Sequence, residues 1–522
     1  MANSSDADFL RLKQQTSHYF ASICQEGVAP DLGQEDDSDE ENKKIRKHIT
    51  SLRLPRRGWF RGLQRQLGRL RQLRYGGRPN SIGHGFNRDD AKAARRRLQA
   101  RAAPHDLRLE RTLGWGGIGI ATLFSRRILG KTRRDYFVAK CNIADDEDDE
   151  LREEKARQQK YKGALHIVQT RDFPPVPPGG NARKRVVPKP PRPSLDGVMF
   201  LEYLPRGSLH KLICAARDNN SPFPNRVVWS IFECLIKACV AMEYPPSSDG
   251  TLQCKRDAAG NIAVPVSERI PPDLQTRYDQ AVNDGTWKDE GETPGGEGLV
   301  HFDIDPQNCL LGSLGVGPSH DRHTSFPVVK IGDFGNAANI TKAFLDSREL
   351  MWEYRKLAKF NFFTPEQFTQ EWDWVTDCPN TLNDPKARVA GKYSWKINLF
   401  QCALTMICVI TFCMPEVPHR PDQMYINDPK DGTRKKVWSF GTYVLDPRHQ
   451  RVDYELRELV AQCLCEEPAH RPHLKELLQK VTGYLTNKQW GPQDNDVAVR
   501  KWVYKNAHSP PLTQPIRPFD RD

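Results

Sequence analysis

The sequence predicts an α+β protein: a small antiparallel β-sheet first, then a larger, mainly helical part. Two observations carry this. Leu107, Leu109 and Leu113, then Thr122-Leu123-Phe124, then Tyr136-Phe137-Val138-Ala139 form short apolar stretches of strand length, punctuated by glycines and charged residues. From Arg226 to Tyr244 the apolar residues recur at helical spacing, and the chain after Asn308 reads as mostly helical.

Taken in order, residues 1–103 read as a basic arm. Trp59, Phe60, Leu63, Leu67 and Leu70 stand at helical spacing with Arg61, Arg65, Arg69 and Arg71 between them, which describes a short basic amphipathic helix. Such a helix can lie on an anionic membrane, enter a partner's groove or pack on the main domain. Arg95-Arg96-Arg97 is a run that could serve nuclear import. The sheet follows from 104, and a helical stretch is expected from about Asp148 to Lys162. Residues 171–197 are rich in Pro, Gly and Arg and read as a loop insertion. Val198-Met199-Phe200-Leu201 is a further strand, and 247–298 is polar and Gly/Pro-rich, a second insertion. From 486 to 522 the chain reads as a Pro-rich, extended tail.

The chain has 522 residues, 28% of them charged and 38% hydrophobic, with a net charge of +12. The positive charge crowds between Lys43 and Arg101, which favours an anionic partner for the arm: acidic protein, lipid or nucleic acid. The 13 cysteines are scattered, include no C-x-x-C pair and lie largely in apolar runs. Residues 1–25 lack a charged start followed by an apolar stretch, so no signal peptide is expected. Reduced thiols in the cytoplasm or nucleus fit this usage. The spacing of Cys463, Cys465, His470 and His473 matches no common zinc module. Ile397 to Met414 is apolar but short for a bilayer, and is expected to be a buried helix, so no transmembrane segment is predicted.

Chemistry concentrates in two places. His301-Phe302-Asp303-Ile304-Asp305-Pro306-Gln307-Asn308 reads H-x-D-x-x-x-x-N, and Asp333-Phe334-Gly335 follows the apolar run Val328-Val329-Lys330-Ile331. Asp303 offers a base, and Asn308 and Asp333 offer the hard oxygens that magnesium prefers. Upstream, Gly114-Trp115-Gly116-Gly117-Ile118-Gly119 is G-x-G-x-x-G between two strand-like stretches, where missing Cβ atoms let backbone approach phosphate. A dinucleotide-binding reading needs a helix straight after the glycines, and Ala121 to Phe124 reads as strand. Lys140 closes an apolar strand and can present a point charge to phosphate. Glu154 on the following helix is its expected partner, with Glu153 as the alternative.

In this order the residues resemble a eukaryotic-type protein kinase, across roughly residues 107–482, in a divergent form similar to kinase-like proteins of filamentous fungi. The resemblance implies a two-lobed fold: an antiparallel N-lobe with its helix C (104–204) and a larger helical C-lobe (205–485). It implies ATP and Mg2+ as ligands. Gly114, Gly116, Gly119, Val138 and Lys140 would contact the nucleotide, and hinge backbone at Glu202 and Leu204 would take adenine. Lys140 and Glu154 would form the catalytic ion pair, Asp303 would orient or deprotonate the acceptor hydroxyl, and Asn308 and Asp333 would hold the metal. Glu366, in Thr364-Pro365-Glu366, would pair with Arg471. The implied substrate is a protein hydroxyl, serine or threonine before tyrosine.

The departures from the family pattern define a second reading, a pseudokinase acting as a nucleotide-binding or scaffolding module. Phe302 replaces the arginine that usually receives an activation-loop phosphate, so activity is not expected to depend on phosphorylation there, although Thr341 and Ser347 offer hydroxyls. Asp305 stands where a lysine usually neutralises the transferring phosphoryl group, and a carboxylate there is expected to repel it. Asn398 stands where an aspartate usually braces the catalytic loop. The expected activation-segment threonine falls on Lys359, which could stand in for the missing lysine.

Overall fold

A computed structural model describes residues 88–115, 119–128, 134–144, 149–172, 193–245, 298–314, 323–373, 387–415, 421–428 and 432–507. The Trp59–Leu70 stretch, Gly116, most of both insertions and the chain beyond 507 lie outside them. The described residues are mixed α+β and fall into two compact units, one of 88–162 with 168–205, the other of 163–167 with 206–507.

The first unit is a four-stranded antiparallel sheet in sequential order: β1 (Leu107–Trp115), β2 (Gly119–Arg127), β3 (Arg134–Asn142) and β4 (Val198–Glu202). Period-two alternation sets its two faces. Phe137, Ala139 and Cys141 of β3 enter the unit's core with Ile120, Phe124 and Val198, while Val138 and Lys140 take the opposite face. That core needs a cover, and α1 (Arg88–Ala102) supplies it through Ala91, Ala94, Leu98 and Ala102. Residues 88–103, expected in the arm, therefore belong with the sheet unit. Arg95 is buried on this helix and Arg97 donates to the Ile143 carbonyl at 2.6 Å, so the stretch expected as part of the basic arm is packed structure from 88 on. The expected helix after the sheet's third strand is α2 (Asp149–Gln159).

The second unit is mainly helical. Its longest helices, α4 (Asn225–Glu243) and α6 (Trp395–Thr411), are apolar almost all round and almost wholly buried. Around them stand α3 (Leu209–Asp218), α5 (Arg348–Tyr354), α7 (Tyr454–Cys463) and α8 (Leu474–Asn487). Among the described residues no helix is long and apolar enough to cross a membrane. Short ladders β5 (Leu299–Val300) with β8 (Ala338–Asn339), and β6 (Cys309–Leu311) with β7 (Val329–Ile331), fix the segments between α4 and α6.

Two sequence expectations need correction here. The chain after Asn308 also contains a hairpin, β9 (Asp422–Asn427) with β10 (Arg434–Ser439), whose Met424, Ile426 and Val437 pack inward. The tail is not extended throughout: α9 (Asp496–Asn506) is capped by the Asn495 side chain and buries Val499, Trp502 and Val503. Those apolar residues fall at i, i+3 and i+4, and Trp502 Nε1 donates to the Ser221 carbonyl.

Candidate functional site

In the sheet unit, β1 and β2 pair antiparallel through Gly114↔Ala121 and Trp115↔Ile120, so Gly114 and Gly119 stand at the joined ends of the two strands. Gly119 is in a tight place: a Cβ there would meet the Cys141 carbonyl oxygen at 3.1 Å. At Gly114 nothing would obstruct one. Lys140 Nζ donates to both carboxylate oxygens of Glu154, at 2.7 and 2.8 Å, and Glu154 is buried. Glu153 instead meets Arg157 one helical turn on, at 2.7 Å. A buried carboxylate held by one lysine fixes that ammonium in place. At the end of β4 the Glu202 backbone N–H donates to the Gln169 carbonyl at 2.9 Å, so Glu202 can offer a ligand at most its carbonyl oxygen. Leu204, nearly buried, follows two residues on.

In the helical unit the 301–308 loop is held by α6. Asn398 Oδ1 accepts from the His301 N–H at 2.8 Å while its Nδ2 donates to the Leu299 carbonyl at 2.7 Å. One turn later Gln401 Oε1 accepts from the Ile304 N–H, and its Nε2 donates to the Phe362 carbonyl. Asparagine thus keeps the bracing contact that an aspartate was expected to make. Gln401 was not foreseen as part of the site; its signal is a second amide at i+3 in a mostly apolar helix.

The loop presents Asp303, which is 7% exposed. Asn308 Nδ2 donates to the Asp303 carbonyl at 2.7 Å and to its carboxylate at 3.1 Å. With its N–H groups so used, Asn308 has its side-chain oxygen to offer a cation. Asp333 is exposed, and lies in the left-handed backbone region at φ 68°. Its neighbour Phe334 meets the His301 ring edge-on, with centroids 4.8 Å apart. Phe302 has φ 61°, a strained value for a bulky side chain. Its fully buried ring packs against Tyr354 and Tyr393, at 5.2 and 5.6 Å between centroids. Apolar packing therefore occupies the place expected of a phosphate-binding arginine. Ser347 caps α5 and Thr341 accepts from the Phe344 N–H.

The expected repulsion at Asp305 is corrected by its surroundings. The side chain is 1% exposed. Its Oδ1 accepts from the Gln307 and Asn308 N–H groups at 2.5 and 3.3 Å. Its Oδ2 forms an ion pair with Lys359 Nζ, which also lies 3.9 Å from Asp303 Oδ1. Burial alone pulls the Lys359 ammonium down, but Asp303, Asp305 and Asp333 together hold it above the ordinary lysine range. Lys359 thus brings a positive charge to the loop from a segment more than fifty residues away, and Asp305 is what anchors it.

His301 is fully buried, and burial pulls its imidazole down to about 4, against weaker opposing help from Asp333. It is neutral at pH 7, with Nδ1 accepting from the Asp303 N–H. The folded value lies below the unfolded one near 6.5, so the unfolded chain binds more protons between them. Stability is therefore full above about pH 6.5 and declines as pH falls toward 4. Burial acts on His473 in the same direction, to about 3. Denaturant titrations at pH 5 and 7 are expected to show this decline, and to show a shallower one in His301→Gln. An equal decline in both proteins would refute the assignment.

Glu366 and Arg471 form a fully buried ion pair at 2.6 and 3.1 Å, which brings the 364–369 turn to the start of the α8 segment. No protein-family model matches the chain, and no curated protein matches its sequence.

Proposed function

We propose that the chain is an ATP- and magnesium-dependent protein kinase that transfers the γ-phosphate to a protein hydroxyl, serine or threonine rather than tyrosine. The observation that carries the reading is the group Asp303, Asn308, Asp305 and Lys359, held by two amides of α6. A base, a metal-facing oxygen and a cation gathered on a braced loop are the parts phosphoryl transfer uses. Asp303 accepts or orients the acceptor proton. Lys359 supplies positive charge where negative charge gathers. Lys140, fixed by Glu154, grips nucleotide phosphate. Asn308 and Asp333 carry the oxygen donors that suit Mg2+, which when bound neutralises phosphate charge.

The pseudokinase alternative rested on Asp305, Asn398 and the long insertions. The first two lose weight, since Lys359 pairs with Asp305 and Asn398 makes the bracing hydrogen bond. None of the described cysteines is in a disulfide, in keeping with action in the cytoplasm or nucleus. A protein substrate, and an anionic partner for the basic residues before 88, complete the proposal.

Purified protein incubated with labelled ATP and Mg2+ is the deciding experiment: phosphotransfer to a protein acceptor is expected, and its absence against every acceptor tried would return the reading to a binding module. Lys140→Ala should weaken ATP binding by about tenfold to hundredfold, the worth of a hydrogen bond to a charged group, with the fold retained. Calorimetry giving unchanged affinity would remove Lys140 from the nucleotide site.

The exchange at 305 and 359 makes a further expectation. Lys359→Ala should cut turnover about tenfold or more, since about 1.4 kcal/mol suffices. Asp305→Lys should also lose activity, because two ammonium groups would then crowd together and two loop N–H groups lose their acceptor. The double variant Asp305→Lys with Lys359→Thr should exceed either single variant. Full activity in Lys359→Ala would sink the charge-replacement account.

A further inference from the structure

Away from the loop of Asp303, three side chains with soft donor atoms meet inside the helical unit. His166 lies on the segment 163–167, Cys234 on α4, and His323 in the turn before β7. They are 1%, 1% and 3% exposed. One donor atom from each lies within 4.8 Å of the other two. His166 is set in place by its backbone: its carbonyl accepts from the Ile331 N–H at 2.9 Å, and Ile167 bridges to Ile331. The helix brings the thiol within 4.8 Å of both rings' donor atoms, and His323 stands six residues before the first residue of β7.

The two imidazoles face each other through Nε2, with the atoms 3.4 Å apart. Facing Nε2 atoms at this distance need a proton or a cation between them, since two lone pairs repel and two N–H groups clash, and one ring donating to the other supplies the proton. A shared proton would serve, and so would a metal ion. The separation fits the ion: in a tetrahedral site with Zn–N bonds of about 2.0–2.1 Å, the nitrogen–nitrogen edge is about 3.3–3.4 Å. The thiol decides between them. A hydrogen-bonded histidine pair has no use for a third donor, whereas an ion gains a thiolate from it. Nitrogen and sulfur donors select zinc or a similar transition metal and not magnesium, so this group is chemically separate from Asn308 and Asp333.

We infer that His166, Cys234 and His323 form a buried zinc site that ties the 163–167 segment and the turn at His323 to α4. The fourth ligand comes from outside these three side chains, since no other His, Cys, Asp or Glu among the described residues joins them. The site is structural: burial denies it a substrate, and its ligands come from segments up to 157 residues apart in sequence.

The test uses the full chain, stripped of metal by chelation under reducing conditions and titrated with cobalt(II) chloride. One equivalent should bind, with visible bands of tetrahedral cobalt and a near-ultraviolet thiolate-to-cobalt band, and zinc chloride should displace it. His323→Gln should weaken binding by at least about 100-fold, beyond what losing a merely supporting group costs. Cys234→Ala should abolish the thiolate band. In the wild type, zinc at about 100 times its Kd should raise Tm by roughly 5–10 °C. Metal-free protein that takes up no stoichiometric cobalt would overturn the inference and leave a proton-sharing histidine pair. Bands that persist in both variants would also overturn it, by placing the ion on other cysteines. The wild-type titration decides even where a variant folds poorly.

Discussion

Arg471→Met is expected to lower the folding free energy by about 3–5 kcal/mol, the cost of breaking a buried ion pair from one side. The guanidinium is fully enclosed and every nitrogen is used. Nε donates to the Cys465 carbonyl at 2.9 Å, Nη1 to the Lys396 carbonyl at 3.0 Å, and Nη2 to the Glu466 carbonyl at 3.1 Å. The Phe400 ring lies 4.7 Å beneath it. Removing it strands the Glu366 carboxylate at zero exposure and leaves three carbonyls short of a donor. The double variant with Glu366→Met should recover part of the loss, because no buried charge is left unpaired. It should not recover all of it, because the carbonyls remain short. The midpoint of urea unfolding, at constant slope, measures this. A loss under about 1 kcal/mol in the single variant would show that the pair is not closed to water in solution.

That pair was legible in the sequence, and so were the strands and the long helices, because each has a strong local signal. The apolar runs of β2 and β3 and the helical spacing of α4 are periodic over many residues. Lys140 and Glu154 were legible because each sits at the expected place on its element. What stayed hidden had a weak or masked signal. The inner face of α1 is three alanines and one leucine, and small side chains hardly register against Arg95, Arg96 and Arg97. The helix α9 is short and flanked by prolines at 492 and 510. The hairpin at 422–439 hides its alternation behind Arg434, Lys435 and Lys436.

The site shows the same division. Asp303, Asn308 and Asp333 stand in recognisable local spacings. The bond between Asp305 and Lys359 does not, since it closes over more than fifty residues and depends on where the 355–364 segment is packed. The family resemblance named Lys359 as a stand-in, but read Asp305 as a source of repulsion. The two are one device, and neither can be interpreted singly. The histidine–cysteine cluster is the extreme case, with ligands drawn from three remote segments and no spacing to betray them.

Asp303→Ala is expected to lower phosphotransfer by about 10²–10⁴-fold, the usual worth of a positioned acid or base. Nucleotide binding should survive, because Lys140 and Glu154 form their ion pair within the sheet unit and do not depend on it. The size of the loss also reports on Lys359. In the wild type its ammonium answers two carboxylates, Asp305 in contact and Asp303 at 3.9 Å. With Asp303 gone it answers Asp305 and, more distantly, Asp333, and its charge is freer to meet phosphate. Asp303→Asn keeps the shape, and keeps an oxygen for the Asn308 amide, but removes the proton acceptor. If Asp303 works as a base, the asparagine variant should be as poor as alanine. If it mainly orients the hydroxyl, asparagine should retain at least tenfold more activity than alanine. Turnover equal to wild type in both would remove Asp303 from the chemistry, while ATP affinity measured on the same samples would still stand or fall with Lys140.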